Sequence, residues 1–259
     1  MDYTQIANRL QKISSEVDIR KEKINILKEN DIIPYVSKYD RTCTIKEANE
    51  MPEGERVRIA GRIIFRRIMG KFGFMKIQDV ESAIQVSVGR NELSEEDYDF
   101  YKKMIDIADF VGVEGVLYRT QTGELTVRAE KVELLSKAMR PLPEKFHGLV
   151  DQEAKYRQRY LDLISSEETR RVMVGRSKAM KFIRNFLNDH GFMEVETPIL
   201  QSAVCGASAK PFFTKHNALN KMCNLRIAPE TYLKQVISAG FDRVFEMGKV
   251  FRNEGMDTQ

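Results

Sequence analysis

The residue types best suited to chemistry gather in one run, Arg243-Val244-Phe245-Glu246-Met247-Gly248-Lys249-Val250-Phe251-Arg252-Asn253-Glu254-Gly255. Read as a strand it alternates, so Val244, Glu246, Gly248, Val250, Arg252 and Glu254 share one face. Arg252 and Glu254 then project together from a segment otherwise apolar enough to be buried. Charge left unpaired in a core is costly. Either these two residues pair with each other or a neighbour, or they meet a ligand carrying both a phosphate and an ammonium. The planar fork of arginine suits phosphate and carboxylate oxygens, which makes the second reading chemically sound.

Two stretches upstream add to this set. The run Ser202 to Phe213 is rich in small residues (Ala203, Gly206, Ala207, Ser208, Ala209), which let backbone come close to a ligand. Glu230 follows Ala228-Pro229 and opens a helix through Ile237, where an acidic residue is ordinary capping and dipole chemistry. Three histidines, His147 in a linker, His190 beside a helix-ending glycine, and His216, read as capping or hydrogen-bonding residues rather than catalytic bases.

A different chemistry is written into residues 55–135. Alternation puts Val57, Ile59 and Ile63 inside a first strand, with Arg58 and Arg62 outside. On a second strand Met75 and Ile77 go in, and Phe72, Phe74 and Lys76 go out; on a third, Gln85 and Ser87 go out. Arg62, Phe74 and Gln85 therefore share an exposed sheet face. An outward Phe flanked by Arg and Gln suits single-stranded bases, the ring stacking one for roughly 1–3 kcal/mol while polar groups read edges or hold phosphates. The plainer alternative is that a loop or an N-terminal helix covers Phe74.

The elements that must position these residues follow from pattern. Residues 4–30 read as one amphipathic helix, with Ile6, Leu10, Ile13, Val17, Ile24 and Leu27 as its stripe and Arg9, Lys12, Arg20, Lys21, Lys23 and Lys28 around it. Such a helix either packs on the next domain as a solvated element or touches a nucleic-acid backbone. Five strands are predicted, at Arg56–Met69, Phe72–Asp79, Ala83–Val88, Phe110–Arg119 and Glu124–Leu135. A helix from Ser94 to about Asp106 separates the third from the fourth, and Thr122-Gly123 forms a turn. Three strands, a helix and two strands is the order of an OB-fold. Further on, a helix capped by Ser165 carries Met180, Ile183 and Leu187 and stops at Gly191, and a strand from Phe192 to Thr197 ends at Pro198.

Composition agrees with a globular chain: 42% hydrophobic, 31% charged, and long enough at 259 residues for two domains. No run of about 18 apolar residues and no apolar leader are visible, so no membrane partner or secretory signal is expected. Cys43, Cys205 and Cys223 lack C-x-x-C spacing, which argues against a disulfide framework or zinc site and for a reducing, cytoplasmic setting. A net charge of +4 is mild, so a nucleic-acid partner requires a local patch.

Phe251-Arg252-Asn253-Glu254 resembles motif 2 of the class II aminoacyl-tRNA synthetases. Leu225-Arg226-Ile227-Ala228-Pro229-Glu230-Thr231-Tyr232-Leu233-Lys234 is similar to the amino-acid pocket of the lysyl-tRNA synthetase family. Arg159-Tyr160-Leu161-Asp162-Leu163-Ile164 and Gly191-Phe192-Met193-Glu194-Val195-Glu196-Thr197-Pro198 are similar to its motif 1 region. The motifs stand in the family's order and cover nearly the whole chain. The resemblance implies an α+β protein: an N-terminal helix and OB-fold β-barrel, then part of a class II antiparallel-sheet catalytic domain. The divisions it implies are 1–54 for the basic helix and connection, 55–136 for the anticodon-binding OB-fold, 137–160 for a linker and 161–259 for the incomplete catalytic domain.

The resemblance also assigns roles. Glu230 binds the α-ammonium of lysine, with Gly206 presenting backbone to the same end of the substrate. Arg252 is the catalytic residue, bridging the lysine carboxylate and the ATP α-phosphate, and Glu254 lies near the adenine. Arg62, Phe74 and Gln85 match anticodon-binding positions. The implied partners are tRNA(Lys), lysine and ATP, with a homodimer formed through the motif 1 region. The family usually has two glycines where Cys205-Gly206 stands; if the first needs a positive φ, Cys205 is strained. No metal ligand is expected in this chain. The Mg²⁺ ligands, the groups that recognise the lysine ε-ammonium and motif 3 are expected beyond Gln259, as in an N-terminal fragment of a longer enzyme. The alternatives are a truncated, non-catalytic tRNA-binding paralogue and an aspartyl- or asparaginyl-type relative.

Overall fold

The structure is a computed structural model that describes residues 1–143 and 149–255; His147 lies outside them. The chain forms two compact units, Met1–Ser165 and Ser166–Gln259.

In the first unit, helices α1 (Tyr3–Leu10), α2 (Glu16–Glu29) and α3 (Ile45–Glu50) precede the strands. Residues 4–30 are thus two helices where the periodicity predicts one. Ser15 stands extended at φ −87°, ψ 126°, and its side chain accepts the Asp18 amide, so it starts a new helix instead of continuing the old one. Strands β1 (Arg56–Met69), β2 (Phe72–Gln78), β3 (Ala83–Gly89), β4 (Phe110–Arg119) and β5 (Leu125–Ser136) close a barrel in the order β1-β2-β3-β5-β4. Helix α4 (Glu95–Met104), capped by Ser94, follows β3. This is the OB-fold read from the sequence. Val57, Ile59, Ile63, Met75, Ile77, Ile84 and Val86 fill the interior, each 2% exposed or less. Gly123, at φ +83°, makes the β4–β5 turn. Helices α5 (Gln152–Arg157) and α6 (Arg159–Ser165) complete the unit.

Two of the basic residues on α2 are not free for a nucleic-acid backbone. Arg20 is 3% exposed and donates to Glu16 and to the carbonyls of Ile107 and Ala138. Lys23 bonds both Asp106 oxygens, at 2.7 and 2.8 Å. Lys137, with no side-chain exposure, bonds Asp106 at 2.5 Å and Asp109 at 2.6 Å. Burial drives the Lys23 pKa down and the Asp109 pKa up. At Asp106 burial also works upward, but Lys137 and Lys23 outweigh it and hold the carboxyl below its usual value. This cluster joins α2 to the 106–109 loop and to Lys137, just past β5.

The second unit opens with α7 (Glu167–Asp189), capped by Ser166 rather than Ser165, its hydroxyl accepting the Thr169 amide. Gly191, at φ +77°, ends it. None of the α7 residues is buried; Val172, Met173, Phe182 and Phe186 are about half exposed or more. The strands are short. β6 (Met193–Glu194) pairs in parallel with β10 (Val244–Phe245), and β7 (Leu200–Gln201), β9 (Lys221–Leu225) and β8 (Phe213–His216) form a second sheet in that order. Helix α8 (Glu230–Ser238) lies between β9 and β10.

The strand predicted over 192–197 shrinks to two residues, and so does the one predicted over 243–255, because each finds a ladder partner only at the other's short stretch. Arg252 and Glu254 are therefore exposed, not buried. The buried pair drawn from that run is Glu246 with Arg226, whose side chains are 6% and 2% exposed.

Candidate functional sites in the barrel and the second unit

On the barrel, β1 changes face partway along. It pairs Arg62 with Gln78 and Ile63 with Ile77, then skips Ile64 and pairs Phe65 with Lys76, Arg67 with Phe74 and Met69 with Phe72. Such a bulge shifts the outward set from even to odd numbers. Before it Arg58 and Arg62 point out; after it Phe65, Arg67 and Met69 do, while Arg66 turns to the carbonyls of Tyr101 and Lys102 at the end of α4.

The consequence falls on the predicted base-binding trio. Phe74 and Gln85 are half-buried on the outer face, with Phe74 edge-on to Phe72 at 5.0 Å. Gln85 donates to the Thr126 hydroxyl at 3.0 Å and pairs across the ladder with the exposed Lys76. Arg62 shares their side of the sheet but stands opposite Gln78. Its guanidinium donates to the Ala108 carbonyl at 2.9 Å and lies 4.3 Å from the Phe110 ring centre. The arginine opposite Phe74 is Arg67, and it is exposed. Uniform alternation cannot find it, because only the pairing register reveals the bulge. Ser87, expected outside, is 2% exposed, since β3 is paired on both edges and its neighbours cover so small a side chain. Phe72, Phe74, Arg67, Lys76 and the exposed Arg128 on β5 make an aromatic and basic surface fit for stacked bases and phosphates.

In the second unit the small-residue loop meets the start of α8. Gly206 adopts φ +89°, and a Cβ added there would lie 3.1 Å from the Ala228 Cβ and 3.5 Å from that of Glu230. Cys205 is not among the positive-φ residues, so the strain considered for it does not arise; its thiol lies 3.8 Å from the Gln201 side-chain oxygen. Glu230 is half exposed and holds the Lys234 ammonium at 2.6 Å, one turn along α8. This carboxylate thus holds an ammonium in an i,i+4 pair of its own helix, with glycine backbone beside it.

Arg252 sits on irregular backbone that is tied down on both sides. The Phe251 amide donates to the Arg226 carbonyl at 2.9 Å and the Asn253 amide to the Lys210 carbonyl at 2.7 Å. Glu254 borders an open cleft with Ser208, Lys210 and Asn253. The two histidines described keep local roles: His190 bonds the Phe186 carbonyl, and His216 accepts the Leu219 amide. Among the described residues no cluster of three or more His, Cys, Asp or Glu is placed to hold a metal ion, and no helix is long and apolar enough to cross a membrane.

An OB barrel with an aromatic, basic outer face and a second unit pairing a glycine loop with an acidic helix start define a class that comparison with known proteins identifies. Residues 57–135 match the OB-fold nucleic acid binding domain, and residues 151–259 match the family described as tRNA synthetases class II (D, K and N). The chain is 48% identical over 262 residues to a lysine–tRNA ligase of Pectobacterium carotovorum, covering 98% of this chain and 52% of the relative. It is 42% identical to that of Staphylococcus haemolyticus over 96% of this chain and 53% of the relative, and 55% identical to that of Aeromonas hydrophila over 83% and 42%. Residues 151–259 thus carry the class II synthetase sequence, the chain is similar over most of its length to lysine–tRNA ligases, and it spans about half the length of the curated relatives it matches.

Proposed function

We propose that this chain carries the anticodon-binding domain and the first part of the catalytic domain of a lysine–tRNA ligase. The divisions suggested are 1–54, 55–136, 137–160 and 161–259. The observation that supports the catalytic half best is the placing of Gly206 at φ +89° against Ala228 and Glu230. A lysine substrate would offer its α-ammonium to Glu230 in place of the Lys234 side chain, and backbone at Gly206 would meet the same end.

The lysine carboxylate oxygen then attacks the α-phosphorus of ATP. A new P–O bond forms, the bond to the β,γ-portion breaks, and pyrophosphate leaves with the electron pair. Arg252, held between two anchored neighbours, spreads its fork over the carboxylate and α-phosphate and stabilises the charge that develops. Glu254 would face the adenine. In the second step a ribose hydroxyl at the 3′ end of tRNA(Lys) attacks the adenylate carbonyl, and AMP leaves.

ATP is a substrate in this reading and Mg²⁺ its companion. The described residues offer no carboxylate cluster for the ion. On the barrel, Phe74 stacks an anticodon base, Gln85 reads a base edge, Arg67 meets phosphate, and Arg62 closes the edge of the same face. The half-exposed apolar residues of α7 suit a homodimer interface, and the setting is cytoplasmic.

The test is ATP–pyrophosphate exchange by the native protein with lysine, aspartate or asparagine. Exchange with lysine alone supports the reading, and exchange with aspartate or asparagine assigns the pocket to another amino acid. Tight tRNA binding with no exchange for any of them leaves a tRNA-binding protein and overturns the catalytic half.

A further inference from the structure

A heavily bonded side chain of the second unit stands in the run likened to an amino-acid pocket but carries none of the roles that the resemblance assigns. Arg226 is 2% exposed and lies between the end of β9 and the Ile227-Ala228-Pro229-Glu230 turn. Its Nε donates to the Lys249 carbonyl at 2.9 Å. One terminal nitrogen donates to the Thr197 carbonyl at 3.1 Å and hydroxyl at 2.8 Å, and pairs with Glu246 at 2.5 Å. Glu246 in turn accepts the Thr197 hydroxyl at 2.6 Å. The backbone of Arg226 is equally committed: its amide donates to the Ile199 carbonyl and its carbonyl accepts the Phe251 amide, both at 2.9 Å.

One residue thus grips the segment leading to Arg252 twice, at Lys249 through its side chain and at Phe251 through its backbone. Residues 246–255 have no strand ladder to fix their path. The same residue starts the turn that delivers Ala228 and Glu230 to Gly206. Gly248 shows how little slack there is. A Cβ at that position would run into the Arg226 guanidinium and stand 2.6 Å from a Glu246 oxygen.

We infer that Arg226 and Glu246, with Gly248 leaving room for them, are positioning residues that fix Arg252 against Glu230 for the adenylation step. This rests on the proposed ligase function. The buried pair sets the backbone on which the phosphate-binding arginine stands and touches no substrate itself. A displacement of about 1 Å at a catalytic group can cost roughly a hundredfold in rate.

The experiment compares the native protein with Gly248→Ala and Glu246→Gln, two changes that disturb the pair by different means. Lysine-dependent ATP–pyrophosphate exchange is measured per active site, the sites being counted by the burst of adenylate formed, alongside amide hydrogen exchange at Phe251 and Asn253. The expected result is a kcat per site lower by about tenfold to a hundredfold, a lysine KM changed by less than about threefold, and faster exchange of both amides. Fewer active sites, each with native kcat, would show that the pair only supports folding and overturn the inference. Native amide protection together with native kcat would overturn it as well, leaving the ligase reading intact. Absence of lysine-dependent exchange in the native protein itself would remove the ligase reading, and this inference with it.

Discussion

Arg67 lies directly across the β1–β2 ladder from Phe74, so a cation and an aromatic ring meet on the outer face of the barrel. Residues opposed in this way have Cβ atoms about 5 Å apart, close enough for one nucleotide to touch both, its base on the ring and its phosphate on the guanidinium. Arg62, four register steps away opposite Gln78, is already occupied by the Ala108 carbonyl and the Phe110 ring.

In the proposed tRNA binding these arginines should therefore behave differently. Phe74→Ala is expected to cost about 1–3 kcal/mol of affinity, close to independent of salt. Arg67→Ala should reduce the slope of log affinity against log salt by about one. Arg62→Ala should chiefly lower the barrel's melting temperature. Equal salt slopes for Arg67→Ala and the native protein would remove Arg67 from the interface.

The Lys137–Asp109 pair has no side-chain exposure on either partner. Lys137→Met leaves Asp109 buried without its cation, a loss expected to cost about 3–5 kcal/mol. Urea unfolding followed by the barrel's tyrosines measures it. Lys12→Met, at an exposed residue between α1 and α2, should change stability by no more than about 0.5 kcal/mol.

Glu246 gives a pH dependence of definite sign. Burial works to raise its pKa, but the Thr197 hydroxyl and the Arg226 guanidinium outweigh it and hold the carboxyl below its usual value. Stability from the ionised pair is then fully present above the usual carboxylate value and is lost as pH falls through the lowered folded value. The native protein should be more stable than Glu246→Gln at neutral pH, and the gap should close in acid. Thermal melts at a series of pH values test this, and a gap that widened toward low pH would contradict it.

Gly206 combines a left-handed φ with close neighbours on one side. Gly206→Ala adds backbone strain of about 1–3 kcal/mol and a methyl pressed on Ala228. In the proposed enzyme this should raise the lysine KM about tenfold and leave the ATP KM nearly unchanged. An equal rise in both would mean that the loop serves the whole cleft and not the amino-acid end alone.

The sequence by itself determined the barrel. Its interior strands alternate apolar and polar residues, a pattern that local chemistry imposes and a reader can recover, so β4 runs from Phe110 to Arg119 as predicted and Ser94 caps α4. Residue identity along short motifs also carried the family, because Phe251-Arg252-Asn253-Glu254 and Ala228-Pro229-Glu230 keep their spacing whatever the fold around them.

Tertiary structure decided which residues meet. The bulge at Ile64 follows from pairing with β2, and it alone moves Arg67 opposite Phe74. Arg20 and Lys23 look like a solvated basic face until Glu16, Asp106 and the carbonyls of Ile107 and Ala138 are folded onto them. Arg226 and Glu246 are 20 residues apart, and their pairing depends on β9 and the segment after β10 arriving side by side. Strand alternation reports only the nearest neighbours along the chain. Register, bulges and buried ion pairs are set by groups distant in sequence, and only the folded chain brings them together.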